Sequence, residues 1–143
     1  MLKLAHAAHA EIRAHAETAY PDECCGILLG VIESERRIVR SVLPCANISP
    51  SPQKRFAIDS RDLIRAQRDA RKTGLQIVGF YHSHPNGAAQ WSQTDIEEAL
   101  WPHCSYLIVP VENGRATEMK SFALVGTDEQ RHFRREEIMI SRG

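Results

Sequence analysis

Apolar residues Leu4, Ala8, Ile12 and Ala16 recur four positions apart. That spacing lays one apolar stripe along a helix, which must stop before Pro21. From Cys25 the pattern changes. Gly26-Ile27-Leu28-Leu29-Gly30-Val31-Ile32 is a short apolar run, Glu33-Ser34-Glu35-Arg36 is charged, and Ile38-Val39, Val42 and Leu43 are apolar again. This predicts a β-hairpin whose turn carries the charges. The stretch from Pro44 to Pro52, with Asn47, Ser49, Pro50 and Ser51, reads as an exposed loop inside the domain. Phe56-Ala57-Ile58 is expected as a short strand after it.

Asp59 or Ser60 caps a second helix that runs through Thr73 and ends at Gly74. Leu63, Ala66 and Ala70 face inward on it, while Arg61, Arg65, Arg68 and Lys72 line the other face. Leu75 to Tyr81 is nearly continuous apolar sequence, the kind a strand buried on both faces carries, and it belongs at the centre of a sheet. A third helix is expected from Ser92 to about Leu100 and a strand over Ser105 to Val111. Asn113-Gly114 then turns the chain into a strand around Met119 to Leu124. The tail from Arg131 to Ile140 allows a final strand or helix on the sheet edge. Mixed strands with three helices predict an α/β or α+β sandwich, a central mixed sheet flanked by helices.

A chain of 143 residues fits one domain spanning 1–143, at the usual roughly 100 to 200 residues per domain. With 43% hydrophobic and 25% charged residues it has the composition of an ordinary globular protein. The formal net charge of zero gives no global basic footprint, so neither nucleic acid nor an anionic membrane is expected as a partner. Cys24, Cys25, Cys45 and Cys104 contain no C-x-x-C pair and read as free thiols in a reducing compartment. The first twenty residues are interrupted by Lys3, His6, His9, Glu11, Arg13, His15 and Glu17. They lack the apolar run of a signal peptide, so a cytoplasmic location is expected.

The chemistry concentrates where the central strand ends, in His82-Ser83-His84-Pro85, followed by a polar loop to Trp91 and then Ser92-Gln93-Thr94-Asp95. Residues two apart on a strand project to one face, so His82 and His84 can offer two imidazoles to one point. Pro85 turns the chain out and leaves both at an open strand end. Two neutral histidines and one carboxylate, naturally Asp95, hold a zinc ion with a fourth position for water. Plainer readings stand beside this one. Ser92-x-x-Asp95 ahead of Ile96, with Trp91 before it, also approximates a capping box with its hydrophobic staple. The two histidines also suit a solvated strand end, and Glu23 suits an exposed loop acid. His6, His9, His15, His103 and His132 carry no comparable pattern.

Taken together, Glu23, His82-Ser83-His84-Pro85, the seven residues from Pro85 to Trp91, then Ser92 and Asp95 resemble the JAMM motif of the MPN+ (Mov34/PAD-1) metalloproteases. In that motif a glutamate is followed far downstream by His-Ser/Thr-His-x7-Ser-x-x-Asp. The stretches Glu23 to Gly30 and Ile77 to Tyr81 also look like the family's two motif-bearing strands. The resemblance implies an MPN fold, similar to that of the cytidine deaminases. It implies one zinc held by His82, His84 and Asp95, with Glu23 as general acid/base and Ser92 donating a hydrogen bond to the oxyanion. Ser83 points to the opposite face and reads as structural. The cytidine deaminases themselves are excluded, because they need His/Cys-x-Glu and Pro-Cys-x-x-Cys, whereas His84 stands two after His82 and Cys104 has no cysteine three away.

The family cuts an amide or isopeptide bond after the C-terminal Gly-Gly of a ubiquitin-like protein. The interval from Glu23 to His82 leaves room for only a modest insertion, so the chain is more similar to compact stand-alone prokaryotic members. Some of those act on ubiquitin-like sulfur carriers, which makes a carrier of that type the expected partner. The alternatives are a deubiquitinase-like isopeptidase that removes a ubiquitin-like tag, and a non-catalytic MPN interaction module. Inactive members usually lack motif residues, whereas this chain keeps all five. An extended Gly-Gly tail is expected to add to a strand edge at Lys54 to Ile58, beneath the Pro44 to Pro52 loop.

Overall fold

The computed structural model describes residues 1–87, 89, 95 and 101–142. The chain opens with a strand the sequence pattern did not announce, β1 (Leu2–Ala5), which runs directly into α1 (His6–Ala19). Leu4 therefore belongs to a strand and not to the helical stripe. It alternates with Leu2, both fully buried, and a spacing of four residues is compatible with either assignment. Ile12 and Ala16 are the buried face of α1, which ends just before Pro21 as expected.

The predicted hairpin forms from β2 (Cys25–Glu33) and β3 (Arg36–Cys45), with Ser34 at the turn in the left-handed region. Pro44 is a strand residue opposite Gly26 and not the start of a loop. It is tolerated because β1 pairs with β3 only at Arg37 and Ile38, leaving that end of β3 an open edge. The helix α2 (Ser60–Lys72) has Asp59 as N-cap, whose carboxylate accepts the Arg61 N–H, and Thr73 as C-cap. Gly74 follows at φ +71. Then come β4 (Gln76–Pro85), β5 (Ser105–Glu112) and the short β6 (Arg115–Ala116), with Asn113 and Gly114 at positive φ between the last two. The chain finishes with β7 (Lys120–Val125), β8 (His132–Glu136) and β9 (Ile138–Ser141), so the tail is two strands. Residues 56–58 are not a strand. Apart from Asp95, which is helical, the expected third helix falls outside the described residues.

The strands form one mixed sheet in the order β8-β7-β5-β4-β2-β3-β1-β9, with β6 beside β5. Central β4 is antiparallel to β2 and parallel to β5. Only Glu137 separates β8 from β9, although they lie at opposite ends of this order. The sheet must therefore curl until its two edges meet at that residue. Leu2 reinforces the seam by donating its N–H to the Glu137 carbonyl at 2.9 Å.

Each face of the sheet buries one of the two helices given above. On one side Ile12 and Ala16 of α1 pack with Leu28, Val78, Tyr81, Leu107 and Val109. On the other, Ala66 and Ala70 of α2 pack with Ile27, Leu29, Ile77, Phe80 and Tyr106. A bulge in β4 decides which side chains go where. Leu28 pairs with Gly79 and Leu29 with Ile77, leaving Val78 as the extra residue. It shifts the alternation, so Ile77 and Phe80 share the α2 side while Val78 and Tyr81 share the other. His82 and His84 follow Phe80 in alternation and emerge on the α2 side.

Candidate metal centre

The strand end places His82 opposite Cys25 of β2 and Ile108 of β5, and His84 opposite Pro110. Both imidazoles turn the same nitrogen outward, and the two Nε2 atoms are 3.0 Å apart. Asp95 completes a triangle, with Oδ1 3.1 Å from His82 Nε2 and Oδ2 3.3 Å from His84 Nε2. This arrangement fits a tetrahedral ion. Ligand atoms each about 2.0–2.1 Å from zinc stand about 3.3 Å from one another, close to all three separations. Among the described residues these three form the group of histidine, cysteine and acidic side chains able to hold a metal, with donor atoms all within 4.8 Å.

Burial prepares the site electrostatically. His82 is 3% exposed, and desolvation lowers its pKa against the opposing pull of the Asp95 carboxylate. The imidazole is thereby held in the neutral form, which keeps a lone pair for a metal. Phe56 stacks on the His82 ring, with centroids 4.5 Å apart and planes inclined by 21°, which fixes the ring's orientation. The same phenyl group lines a cavity of about 220 Å³ with Ile58, Leu63, Phe80, Trp101 and Tyr106, so an apolar hollow adjoins the histidines.

Glu23 is buried, at 8% exposure, two residues before the cysteine that faces His82. Hydrogen bonds on both sides set its backbone. The Glu23 N–H donates to the Pro52 carbonyl at 2.7 Å, and the Glu23 carbonyl accepts from Asn47 Nδ2 at 2.9 Å. The next residue is tied to the ligand strand itself. Ser83 Oγ accepts the Cys24 N–H at 2.7 Å, and the Ser83 N–H donates to the Cys24 carbonyl at 3.1 Å. Ser83 is fully buried on the face opposite the histidines, in agreement with its structural reading. Its hydroxyl explains how the chain carrying Glu23 is registered against the strand carrying His82 and His84.

Beyond β4, Asn86 lies at φ 55, and its amide donates to Tyr20 Oη at 2.9 Å and accepts the Asn113 N–H at 3.0 Å. The exit from the histidine strand is thus anchored to two neighbouring loops. Ser92 and its neighbour Trp91 fall outside the described residues. Residues 55–59 do not form a regular strand, although part of the segment from Lys54 to Ile58 is paired on one side. The Ala57 N–H is bonded to Asn47 Oδ1 and its carbonyl to the Ile48 N–H, each at 3.0 Å, so Ala57 pairs inward while its neighbours Phe56 and Ile58 alternate away from it. Phe56 and Asn47 were not singled out from the sequence. A phenylalanine in a short apolar triplet and an asparagine in a Pro/Ser-rich loop carry no local signal of contact with groups distant in the chain.

Comparison with known proteins identifies the family. Residues 5–125 match the prokaryotic homologues of the JAB domain. The chain is 37% identical over 106 residues to a probable TtuB-protein conjugate cleaving protease of Thermus thermophilus, covering 74% of this chain and 68% of that protein. It is 31% identical over 112 residues to the CysO-cysteine peptidase of Mycobacterium tuberculosis, covering 78% and 75%. The solution structure of a protein from Desulfitobacterium hafniense superposes with a TM-score of 0.85 at 34% identity, covering 100% of this chain and 94% of that one. The family match includes Glu23, His82, His84 and Asp95 within its bounds, and the relatives extend over most of their own length, so the chain belongs to the prokaryotic JAB-domain family.

Proposed function

We propose that this chain is a zinc-dependent metallopeptidase that hydrolyses the amide or isopeptide bond after the C-terminal Gly-Gly of a ubiquitin-like protein of the sulfur-carrier type. The observation that carries the reading is the convergence of His82 Nε2, His84 Nε2 and the Asp95 carboxylate on one point, at 3.0 to 3.3 Å from each other. A zinc ion bound there supplies Lewis acidity, lowering the pKa of water and polarising the scissile carbonyl. In this reading Glu23 accepts a proton from the attacking water and delivers it to the departing amine as the carbon–nitrogen bond breaks. The water oxygen ends on the new carboxylate. Ser92 donates its hydroxyl hydrogen bond to the oxyanion that develops on the former carbonyl.

The cleavage activities named for the Thermus and Mycobacterium relatives support amide hydrolysis next to a small carrier-like protein. Those names also set the choice within the substrate class. One names a TtuB-protein conjugate and the other CysO-cysteine, so both kinds of adduct belong in the test. A Gly-Gly terminus suits a buried metal centre, since its backbone can approach closely without side chains. The test is to incubate the zinc-loaded chain with carrier adducts and with carrier–protein conjugates and to follow products by intact mass. Release of an intact carrier ending in Gly-Gly supports the reading. Absence of cleavage of every adduct, with zinc bound, overturns it in favour of a non-catalytic interaction module.

A further inference from the structure

We infer that Asn47 is a positioning residue that sets both Glu23 and Phe56 through one carboxamide, and so couples the proposed acid/base to a ligand histidine. The inference rests on the reading of Glu23 as the proton carrier. Asn47 lies on the segment between β3 and α2, where its side chain makes contacts in every direction. Nδ2 donates to the Glu23 carbonyl at 2.9 Å, the Arg55 carbonyl at 3.0 Å and, more weakly, the Pro52 carbonyl at 3.4 Å. Oδ1 accepts the N–H groups of Ser49 and Ala57, each at 3.0 Å. A carboxamide offers two donor hydrogens and two acceptor lone pairs, and all four are used here.

The geometry makes this amide a junction of two paths. One path runs through the Glu23 carbonyl, and the Glu23 N–H is bonded in turn to Pro52, so the Asn47 loop holds that residue's backbone on both sides. The other path runs through Arg55 and Ala57, the two neighbours of Phe56, whose ring stacks on His82. Asn47 thus clamps the chain immediately before and after an aromatic group that orients a ligand imidazole. Neither Glu23 nor Phe56 lies in regular secondary structure, so no ladder of backbone hydrogen bonds would do this work in its place. Aspartate cannot replace it, because three carbonyl oxygens would then face a carboxylate with no hydrogen to give.

The experiment is a double-mutant cycle on the zinc-loaded protein with a cleavable carrier adduct, combining Asn47→Ala with Glu23→Gln. In the wild-type background Asn47→Ala is expected to lower kcat roughly ten- to a hundredfold, the range for a displaced catalytic group, with zinc content and KM little changed. In the Glu23→Gln background the same change is expected to cost several-fold less, because the part of the loss that runs through Glu23 is gone and only the Phe56 path to His82 remains. Equal losses in both backgrounds, or a loss confined to KM, would overturn the proposal. Should Asn47→Ala fold poorly, Asn47→Ser keeps a small polar group and enters the same cycle.

A second readout needs no turnover. In the NMR spectrum of the zinc-loaded chain, Phe56 gives the His82 ring protons a ring-current shift that Asn47→Ala or Asn47→Ser is expected to reduce. The amide of Glu23 should exchange with solvent faster in the same variants. If no adduct is cleaved by the wild type, the proposed function fails while these two signals still test the coupling. Unchanged signals in a folded variant would sink the coupling itself.

Discussion

Two buried carboxylates sit at opposite ends of the parallel pair β4 and β5, and the difference between them separates chemistry from architecture. Asp95, its side chain 10% exposed, faces the outward nitrogens of His82 and His84. Glu136, its side chain 7% exposed, faces the Arg37 guanidinium at 3.3 Å and the Met1 amino group at 3.1 Å. It also accepts the hydroxyl hydrogens of Ser105 at 2.6 Å and Ser121 at 2.8 Å. Arg37 extends the knot, since its Nε donates to the His103 carbonyl at 2.6 Å. Glu136 is answered by the Arg37 guanidinium and two hydroxyl donors, which bind β3, β5, β7 and β8 into the curled sheet. Asp95 stands instead with two imidazole nitrogens at the separations a tetrahedral ion imposes. Similar burial produces a lock in one place and a coordination site in the other, according to what each carboxylate faces.

The sharpest way to break this contrast is at the metal end. Asp95→Ala or His84→Ala should abolish turnover and remove most of the bound zinc while the fold survives, as measured by metal analysis alongside circular dichroism. Stoichiometric zinc in both variants would erase the distinction between the two carboxylates. Glu23→Gln is next in effect on turnover. It preserves size and zinc but accepts no proton, so kcat should fall roughly a hundredfold or more. Rates near wild type would assign proton transfer to another group.

Ser92→Ala is expected to cost about 1 kcal/mol of stability if the serine caps a helix as its sequence context predicts. Its rate loss reaches about 3 kcal/mol if the hydroxyl meets the oxyanion only in the transition state. Comparing the denaturation midpoint with kcat separates those two roles. At the lock, Glu136→Ala should leave zinc and kcat unaltered in the folded fraction yet cost about 3 kcal/mol of stability, because Arg37 loses its buried partner. A variant as stable as wild type would show that the knot is dispensable. Smallest of all is the effect of thiol reagents. All four cysteines are unpaired, and burial pushes Cys24 and Cys45 up to about 11 and Cys104 up to about 12. Few thiolates exist near neutral pH. Alkylation of the folded protein should therefore be slow and should release no zinc.

Much of the architecture was legible where a local rule sufficed. The Asp59 cap, the Gly74 stop, the Asn113-Gly114 turn and the charged hairpin end each follow from the conformational preferences of a few neighbouring residues. The histidine pair was legible for the same reason, since alternation along one strand is enough to bring His82 and His84 to one face. Local pattern failed for residues 2–5, where four-residue spacing matched a strand and a helix equally. It failed also for Phe56 to Ile58, whose apolar run reflects a stacking contact and a cavity wall and not a strand.

The sequence by itself determined the donor types, their spacing, the sheet-and-helix composition and the absence of a global charge that would draw nucleic acid. Tertiary structure alone decided three further matters. The bulge at Val78 chose the face on which the histidines emerge, because a strand buried on both sides has no polar residue to mark its parity. The curl of the sheet brought its two edge strands, β8 and β9, together at Glu137, a closure set by twist and packing across the whole domain. The hydrogen bonds of Asn47 and Ser83 placed the backbone around Glu23 against β4, joining residues far apart in the chain. Such contacts depend on which surfaces meet when the core forms, and no short stretch of sequence contains both partners.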